Sequence, residues 1–350
     1  MQKEIRIGKK IVSFNDPTFI VAELSANHKQ DIELAKDTIY AIKESGADAV
    51  KLQTYTPDTI TIDCKNQLFQ ISGGTLWDGK TLYELYQEAY TPWEWHYELK
   101  ELAEKLGLVF FSTPFDKTAV DFLERLDVPA YKIASYEITD IPLIEYAASK
   151  GKPILISTGV ATLCDIQEAV EACKRVGNDQ IILLKCVSAY PTPLEDVNLR
   201  TIPNMMETFG CIVGLSDHTL GISIPIAAVT LGAKVIEKHF ILSRDLDTPD
   251  KAFSLTPNEF KEMVKAIREV EIALGKASYK LSDSMKEARK YARSLFAVKD
   301  IKAGEVFTEE NVKSVRPAGG LHPRFLKEVI GRKAKVNIKK GTPINWNMID

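Results

Sequence analysis

Residues 108–158 read "LVFFSTPFDKTAVDFLERLDVPAYKIASYEITDIPLIEYAASKGKPILIST". Apolar runs of strand length at 108–113, 131–135 and 153–158 alternate with stretches of helical spacing at 116–126 and 141–150. Strand, helix and strand joined by short connections imply parallel strands, since the helix carries the chain back to the start of the next strand. The same rhythm extends in both directions. Upstream stand a strand at 19–24, a helix at 31–45, a turn and strand over 46–55, and a helix from Pro92 to Leu106. Downstream come a helix at 163–175, a strand at 181–188, a helix at 196–208, a strand at 211–216, a helix at 221–231, a strand at 235–240 and a long helix at 257–274. Eight strand–helix units imply a (β/α)8 TIM barrel. A doubly wound open sheet is the rival, weakened because no GxGxxG follows the first strand.

Two stretches break the rhythm. Residues 57–90 form an insertion with few periodic features, with "SGGTLWDG" at 72–79 as a loop signal. After Gly275 a charged tract, 276–292, reads as a linker, and 293–350 reads as a small, mostly β domain with turn signals at "KAGE" and "KKGTPI". The barrel domain is accordingly expected over 1–275.

Composition narrows the function. With 45% hydrophobic residues and a net charge of −3, the chain has core-forming capacity and no basic surplus for nucleic acid or anionic membrane. No apolar run reaches the roughly 18 residues of a membrane span, and "MQKEIRIGKKIVSF" lacks a signal-peptide pattern. Five cysteines without CxxC pairing suit a reducing compartment, so the expected location is cytoplasmic.

In a (β/α)8 barrel the active site lies where the strands end. Those ends are polar: Glu23 on strand one, Lys51 and Gln53 on two, Thr113 on three, Lys132 and Ser135 on four. Ser157 follows on five, Lys185, Ser188 and Tyr190 on six, Ser216 and His218 on seven, and His239 on eight. Lysines within apolar strands are costly to bury without an anion. Lys51, Lys132 and Lys185, with neighbouring hydroxyls, are therefore expected to converge on a small multiply charged anion such as a phosphate ester. His218 and His239 end adjacent strands, so their imidazoles can share one ion. Two imidazoles and a nearby carboxylate suit a catalytic divalent cation such as Mn²⁺. Glu23 is the nearest carboxylate, its role open between metal ligand, hydroxyl clamp and base. His96, the Trp93/Trp95/Tyr97 cluster, Cys186 and Cys211 read as packing residues.

The motifs "VAELSANH" (21–28), "AVKLQTY" (49–55), "YKIAS" (131–135), "ILISTG" (154–159), "YPTP" (190–193), "GLSDHTLG" (214–221) and "VIEKHF" (235–240) are similar to those of the sialic acid synthase family. Residues 292–320 resemble that family's antifreeze-like (SAF) domain, so the similarity spans essentially the whole chain. The first motif, "ELSANHKQ" where the family more often has "EIGxNHNG", resembles the pseudaminic acid synthase branch. The resemblance implies condensation of phosphoenolpyruvate with an amino-sugar aldehyde, 2,4-diacetamido-2,4,6-trideoxy-L-altrose for this branch. The products would be a nine-carbon 2-keto-3-deoxy acid and phosphate. It implies a divalent metal on His218 and His239, with Mn²⁺ preferred and Mg²⁺ or Co²⁺ able to serve. It places Gln53, Tyr190 and Asp250 against the sugar and Glu23 near the metal. It also implies a domain-swapped homodimer, with Arg316 reaching the partner subunit's barrel. Ser188 stands where relatives often carry Asn. The rivals are N-acetylneuraminate or legionaminate synthases taking a manno-configured sugar, a 3-deoxy-heptulosonate phosphate synthase, and a non-catalytic glycan-binding barrel.

Overall fold

The computed structural model describes residues 4–72, 74 and 76–350. The loop expected at 72–79 therefore lies outside the described residues at Gly73 and Thr75, as does the start of the amino-terminal tract at 1–3. The chain divides into two compact units, Met1–Gly275 and Lys276–Asp350.

The first unit opens with a hairpin, β1 (Glu4–Ile7) and β2 (Lys10–Ser13). Eight parallel strands follow: β3 (Phe19–Glu23), β4 (Ala49–Thr54), β5 (Val109–Pro114), β6 (Tyr131–Ile133), β7 (Ile154–Ser157), β8 (Ile181–Lys185), β9 (Ile212–Asp217) and β10 (Val235–His239). They close in sequence order, with β10 pairing back onto β3 so that His239 faces Glu23 across the seam. The expected barrel is thus present, built from the alternation in the sequence.

Successive residues on each strand point to opposite faces. One set, including Ile20, Val50, Phe110, Ile133 and Ile156, packs under the surrounding helices against Ile39, Leu99, Val120 and Ile144. The other set fills the barrel. Its lower layers are apolar, with Val21, Phe111, Leu155, Leu184 and Val235 packed against Ile5, Ile7 and Val12 of the hairpin. Each buried aliphatic side chain contributes about 1.5–3 kcal/mol, so the hairpin is a stabilising plug. Gly214 has no room for a side chain: a Cβ there would stand 2.4 Å from the Val235 carbonyl. With the bottom plugged, the polar residues concentrate in the upper layers.

The helices are locally specified. Asp31 caps Ile32–Glu44 by accepting from the Glu33 and Leu34 backbone, and Asp116 caps Lys117–Arg125 in the same way. Two elements depart from expectation. The 57–90 insertion contains helices Pro57–Ile60 and Leu82–Ala89, the second fixed by a Thr81–Glu84 capping box. The 276–292 tract contains a short exposed helix, Asp283–Ala288. Among the described residues no helix is long and apolar enough to cross a membrane.

The second unit pairs β11 (Ser294–Ala297) with β12 (Val312–Val315), extended by isolated bridges such as Ile301 with Ile338 and Ala334 with Ile349. Its own core gathers Leu295, Phe307, Val312, Val329, Ile338 and Ile344.

Candidate active site

A cavity of about 630 Å³ opens at the carboxyl-terminal mouth of the barrel. Its lining includes Lys51, Gln53, Thr113, Lys132, Ser135, Ser157, Tyr190, Ser216, His218, His239 and Asp250, so eleven of the expected residues meet in one place. Glu23 is buried beneath them, with Lys51 Nζ 2.5 Å from its Oε2. The alternation that builds the barrel explains the tripeptides at β9 and β10. Ser216 and His218, like Glu237 and His239, point inward. Asp217 and Lys238 point outward into a fully buried ion pair of 2.5 Å, with Lys238 also donating to the Thr219 carbonyl.

Lys185 does not join the site. On β8, Leu184 lies in the barrel interior, so Lys185 faces the other way and donates to the Cys186 carbonyl at 2.9 Å. Two lysines converge rather than three, because residue parity on β8 differs from that at Lys51 and Lys132. The strand also ends at Lys185 rather than continuing to 188. Ser188 sits beside Gly159 just outside the cavity lining; a Cβ on Gly159 would meet Ser188 Oγ at 2.2 Å and Ser135 Oγ at 2.7 Å. Arg316 belongs to the second unit, where it is exposed after β12. His28 is buried, contacting Thr91 Oγ1 at 3.1 Å and accepting from the Gln30 backbone, and His96 is buried against Thr54. Burial pushes both imidazoles down to about 4, so they are neutral packing residues.

Two carboxylates unassigned from sequence complete the electrostatics. Glu237 accepts from Ser216 Oγ at 2.8 Å and stands 3.5 Å from Lys132 Nζ and 3.7 Å from Lys51 Nζ. Burial opposes its ionisation, but Lys132 and Lys51 outweigh burial and hold it at about 2. Glu23 moves the other way, raised by burial with Lys51 and His239 opposing. Glu237 is therefore the fixed counter-charge of the lysines, and Glu23 is the carboxyl nearer neutrality. Burial lowers Lys132, which has no such close carboxylate as Lys51 has in Glu23. Glu137, on the turn after β6, also lines the cavity; burial raises it to about 7, and its Oε2 has no hydrogen-bond partner. Glu237 could have been found by parity with His239. Nothing in the sequence around Glu137 signals its burial.

The residues present fit a divalent cation. His218 Nδ1 lies 3.2 Å from the Val187 carbonyl, which can only accept, so Nδ1 carries the proton and Nε2 keeps its lone pair. Burial lowers the pKa of His218, favouring the neutral, ligating form. The His239 ring centroid is 5.3 Å from that of His218, and its buried Nδ1 makes no well-formed hydrogen bond. Asp250 Oδ2 is 3.5 Å from that nitrogen. Burial opposes ionisation of Asp250, but His239, Ser25 and the Ala26 backbone keep its carboxyl below the ordinary range. Among the described residues no three His, Cys, Asp or Glu side chains form a ready metal cluster, so further ligands must come from water or substrate.

The outer wall is apolar. Tyr55, Ile71, Leu82, Leu85, Tyr86 and Phe115 line it, most of them contributed by the 57–90 insertion.

Comparison with known proteins accords with this geometry. Residues 38–279 match the NeuB family model and residues 292–350 match the SAF domain model. The chain is 54% identical to the pseudaminic acid synthase of Helicobacter pylori, covering 95% of this chain and 98% of the relative. It is 50% identical to the pseudaminic acid synthase of Campylobacter jejuni, covering 92% and 94%. Among solved structures, the N-acetylneuraminic acid (sialic acid) synthetase of Leptospira borgpetersenii superposes with a TM-score of 0.73 at 32% identity, covering 82% of this chain and 95% of that one. Matched in its barrel, its second unit and nearly its whole length, the chain belongs to the NeuB family.

Proposed function

We propose that this protein is a pseudaminic acid synthase. It condenses phosphoenolpyruvate with 2,4-diacetamido-2,4,6-trideoxy-L-altrose and water, giving pseudaminate and phosphate by C–O cleavage. The observation that carries the chemistry is one cavity joining Lys51, Lys132 and three serines to the His218–His239 pair. The relatives sharing half or more of their residues with the chain support the branch.

The parts divide by chemistry. Lys51 and Lys132, with Ser135, Ser157 and Ser216, bind the carboxylate and phosphate of phosphoenolpyruvate through charge-assisted hydrogen bonds. Asp250, Gln53 and Tyr190 orient the sugar so that its aldehyde carbon faces C3 of the enol. His218 and His239 would hold a divalent cation, which supplies Lewis-acid polarisation of the aldehyde oxygen. C3 attacks that carbon, and the new alkoxide takes a proton. Water then adds to C2, losing a proton to a carboxylate. Glu137, which lines the cavity and is brought near neutrality by burial, would exchange these protons, with Glu23, raised by burial beneath the cavity, as the second candidate. The resulting tetrahedral centre expels phosphate with the bridging oxygen, leaving the 2-keto group. The plugged barrel floor keeps bulk water away from the enol from below.

The cation is proposed as Mn²⁺, with Mg²⁺ or Co²⁺ able to serve. The second unit is proposed to complete a domain-swapped homodimer through Arg316, and the reaction to run in the cytoplasm on soluble small molecules. The test is turnover of phosphoenolpyruvate labelled with ¹⁸O at the bridging position. Label recovered in phosphate, only when sugar and cation are both supplied, supports the proposal. Label recovered in the keto acid, or phosphate released without sugar, overturns it.

A further inference from the structure

The helix Leu82–Ala89 places Leu82, Leu85 and Tyr86 on one face, three and four residues apart, while Glu84, Gln87 and Glu88 face solvent. An amphipathic helix normally spends its apolar face on the protein core. Here Leu82, Leu85 and Tyr86 belong to neither core cluster of the barrel and instead line the cavity. Ile71 joins them, its backbone paired with Lys80 and Gly79. The wall is stiffened by packing within it, since Tyr55 meets Tyr86 and Phe115 edge-on at 5.6 and 5.1 Å. This is a preformed apolar surface in the same cavity as the polar floor.

We infer that the 57–90 insertion is the specificity element of the enzyme: Ile71, Leu82, Leu85 and Tyr86 take the methyl end of a 6-deoxy acceptor sugar and select against a 6-hydroxyl. The inference rests on the synthase reading above. The phosphoenolpyruvate anions belong with the buried lysines, and the aldehyde belongs beside His218, His239 and Asp250. The far end of the sugar chain is then left to meet the wall facing them. A methyl group there loses water at no cost in hydrogen bonds. A hydroxymethyl group would surrender its hydration to Ile71, Leu82 and Leu85, whose aliphatic side chains offer no partner.

The experiment compares kcat/KM for 2,4-diacetamido-2,4,6-trideoxy-altrose with that for its 6-hydroxy counterpart, using full-length enzyme, Mn²⁺ and phosphoenolpyruvate. The native enzyme should prefer the deoxy sugar by about 10–100-fold, the range an apolar pocket achieves. Leu85→Asn and Ile71→Ser should each cut that ratio by about fivefold or more, with the KM for phosphoenolpyruvate unchanged, because each supplies a hydrogen-bonding partner to the hydroxyl. Ile71 is a half-buried loop position, so its variant decides the matter if Leu85→Asn fails to fold by circular dichroism. No native preference, or variants in which both sugars lose activity equally, would overturn the inference. Turnover of manno-configured sugars alone would instead overturn the pseudaminic reading, and the deoxy/hydroxy ratio within that series would still test the wall.

Discussion

Replacing Glu237 by Gln removes a charge while keeping shape, and the size of the effect follows from the site. Glu237 faces Lys132 and Lys51 at 3.5 and 3.7 Å, and its carboxyl drops from an ordinary 4.5 to about 2. At about 1.4 kcal/mol per unit, that displacement corresponds to roughly 3 kcal/mol of folding stability at pH 8. Breaking a buried ion pair by removing one partner typically costs about 3–5 kcal/mol, a compatible figure. Because the folded-state value is depressed, the contribution is complete above the ordinary 4.5 and disappears as pH falls through 2. The assay is urea denaturation of native and Glu237→Gln protein in HEPES, followed by circular dichroism. The deficit should be about 3 kcal/mol at pH 8 and shrink to roughly half near pH 3. Added phosphate should narrow it at pH 8, since an anion can occupy the cationic floor and stabilise the folded state by mass action. A deficit below about 1 kcal/mol, or one indifferent to both pH and phosphate, would refute the assignment of Glu237 as the lysines' counter-charge.

Other outcomes follow from the same geometry. Lys132→Met should raise the KM for phosphoenolpyruvate by about 10–100-fold, the worth of a charged hydrogen bond, whereas Lys185→Met should change it less than about threefold. Equal effects in steady-state kinetics would contradict the outward orientation of Lys185. His218→Ala and His239→Ala should each weaken Mn²⁺ binding at least about tenfold, read by electron paramagnetic resonance titration; unchanged binding in both would remove the metal from this pair. Glu137→Gln should stabilise the protein at pH 8 by about 3 kcal/mol and hardly at all at pH 4, because its folded-state value is raised from 4.5 to about 7. Thermal melts at the two pH values check this, and a pH-independent difference would contradict the burial of an ionisable carboxyl there.

The barrel was legible because its signal is repeated: each apolar run and each helical stretch was locally consistent with the whole, and the polar strand ends marked the mouth. His218, His239, Lys51 and Lys132 were singled out in this way, and the structure brings them into one cavity. Lys185 was misread because its type was weighed without its parity, although Leu184 and Lys185 alternate like any strand pair. Glu237 went unassigned for the same reason, although it stands between two residues, Ile236 and Lys238, that both face out. The apolar wall was illegible on different grounds. Leu82, Leu85 and Ile71 reach the cavity only through the path of a long insertion, and their spacing is equally that of an ordinary core helix. Glu137 acquires its role from burial by neighbours distant in sequence, which local pattern does not encode.

The most direct test of the central claim is phosphate release from phosphoenolpyruvate with Mn²⁺ against three acceptors: N-acetylmannosamine, 2,4-diacetamido-2,4,6-trideoxy-mannose and 2,4-diacetamido-2,4,6-trideoxy-altrose. Turnover confined to the altrose sugar is the predicted result. Preference for either manno sugar would contradict the pseudaminic assignment, and no release with any acceptor from metal-loaded protein would contradict the synthase itself.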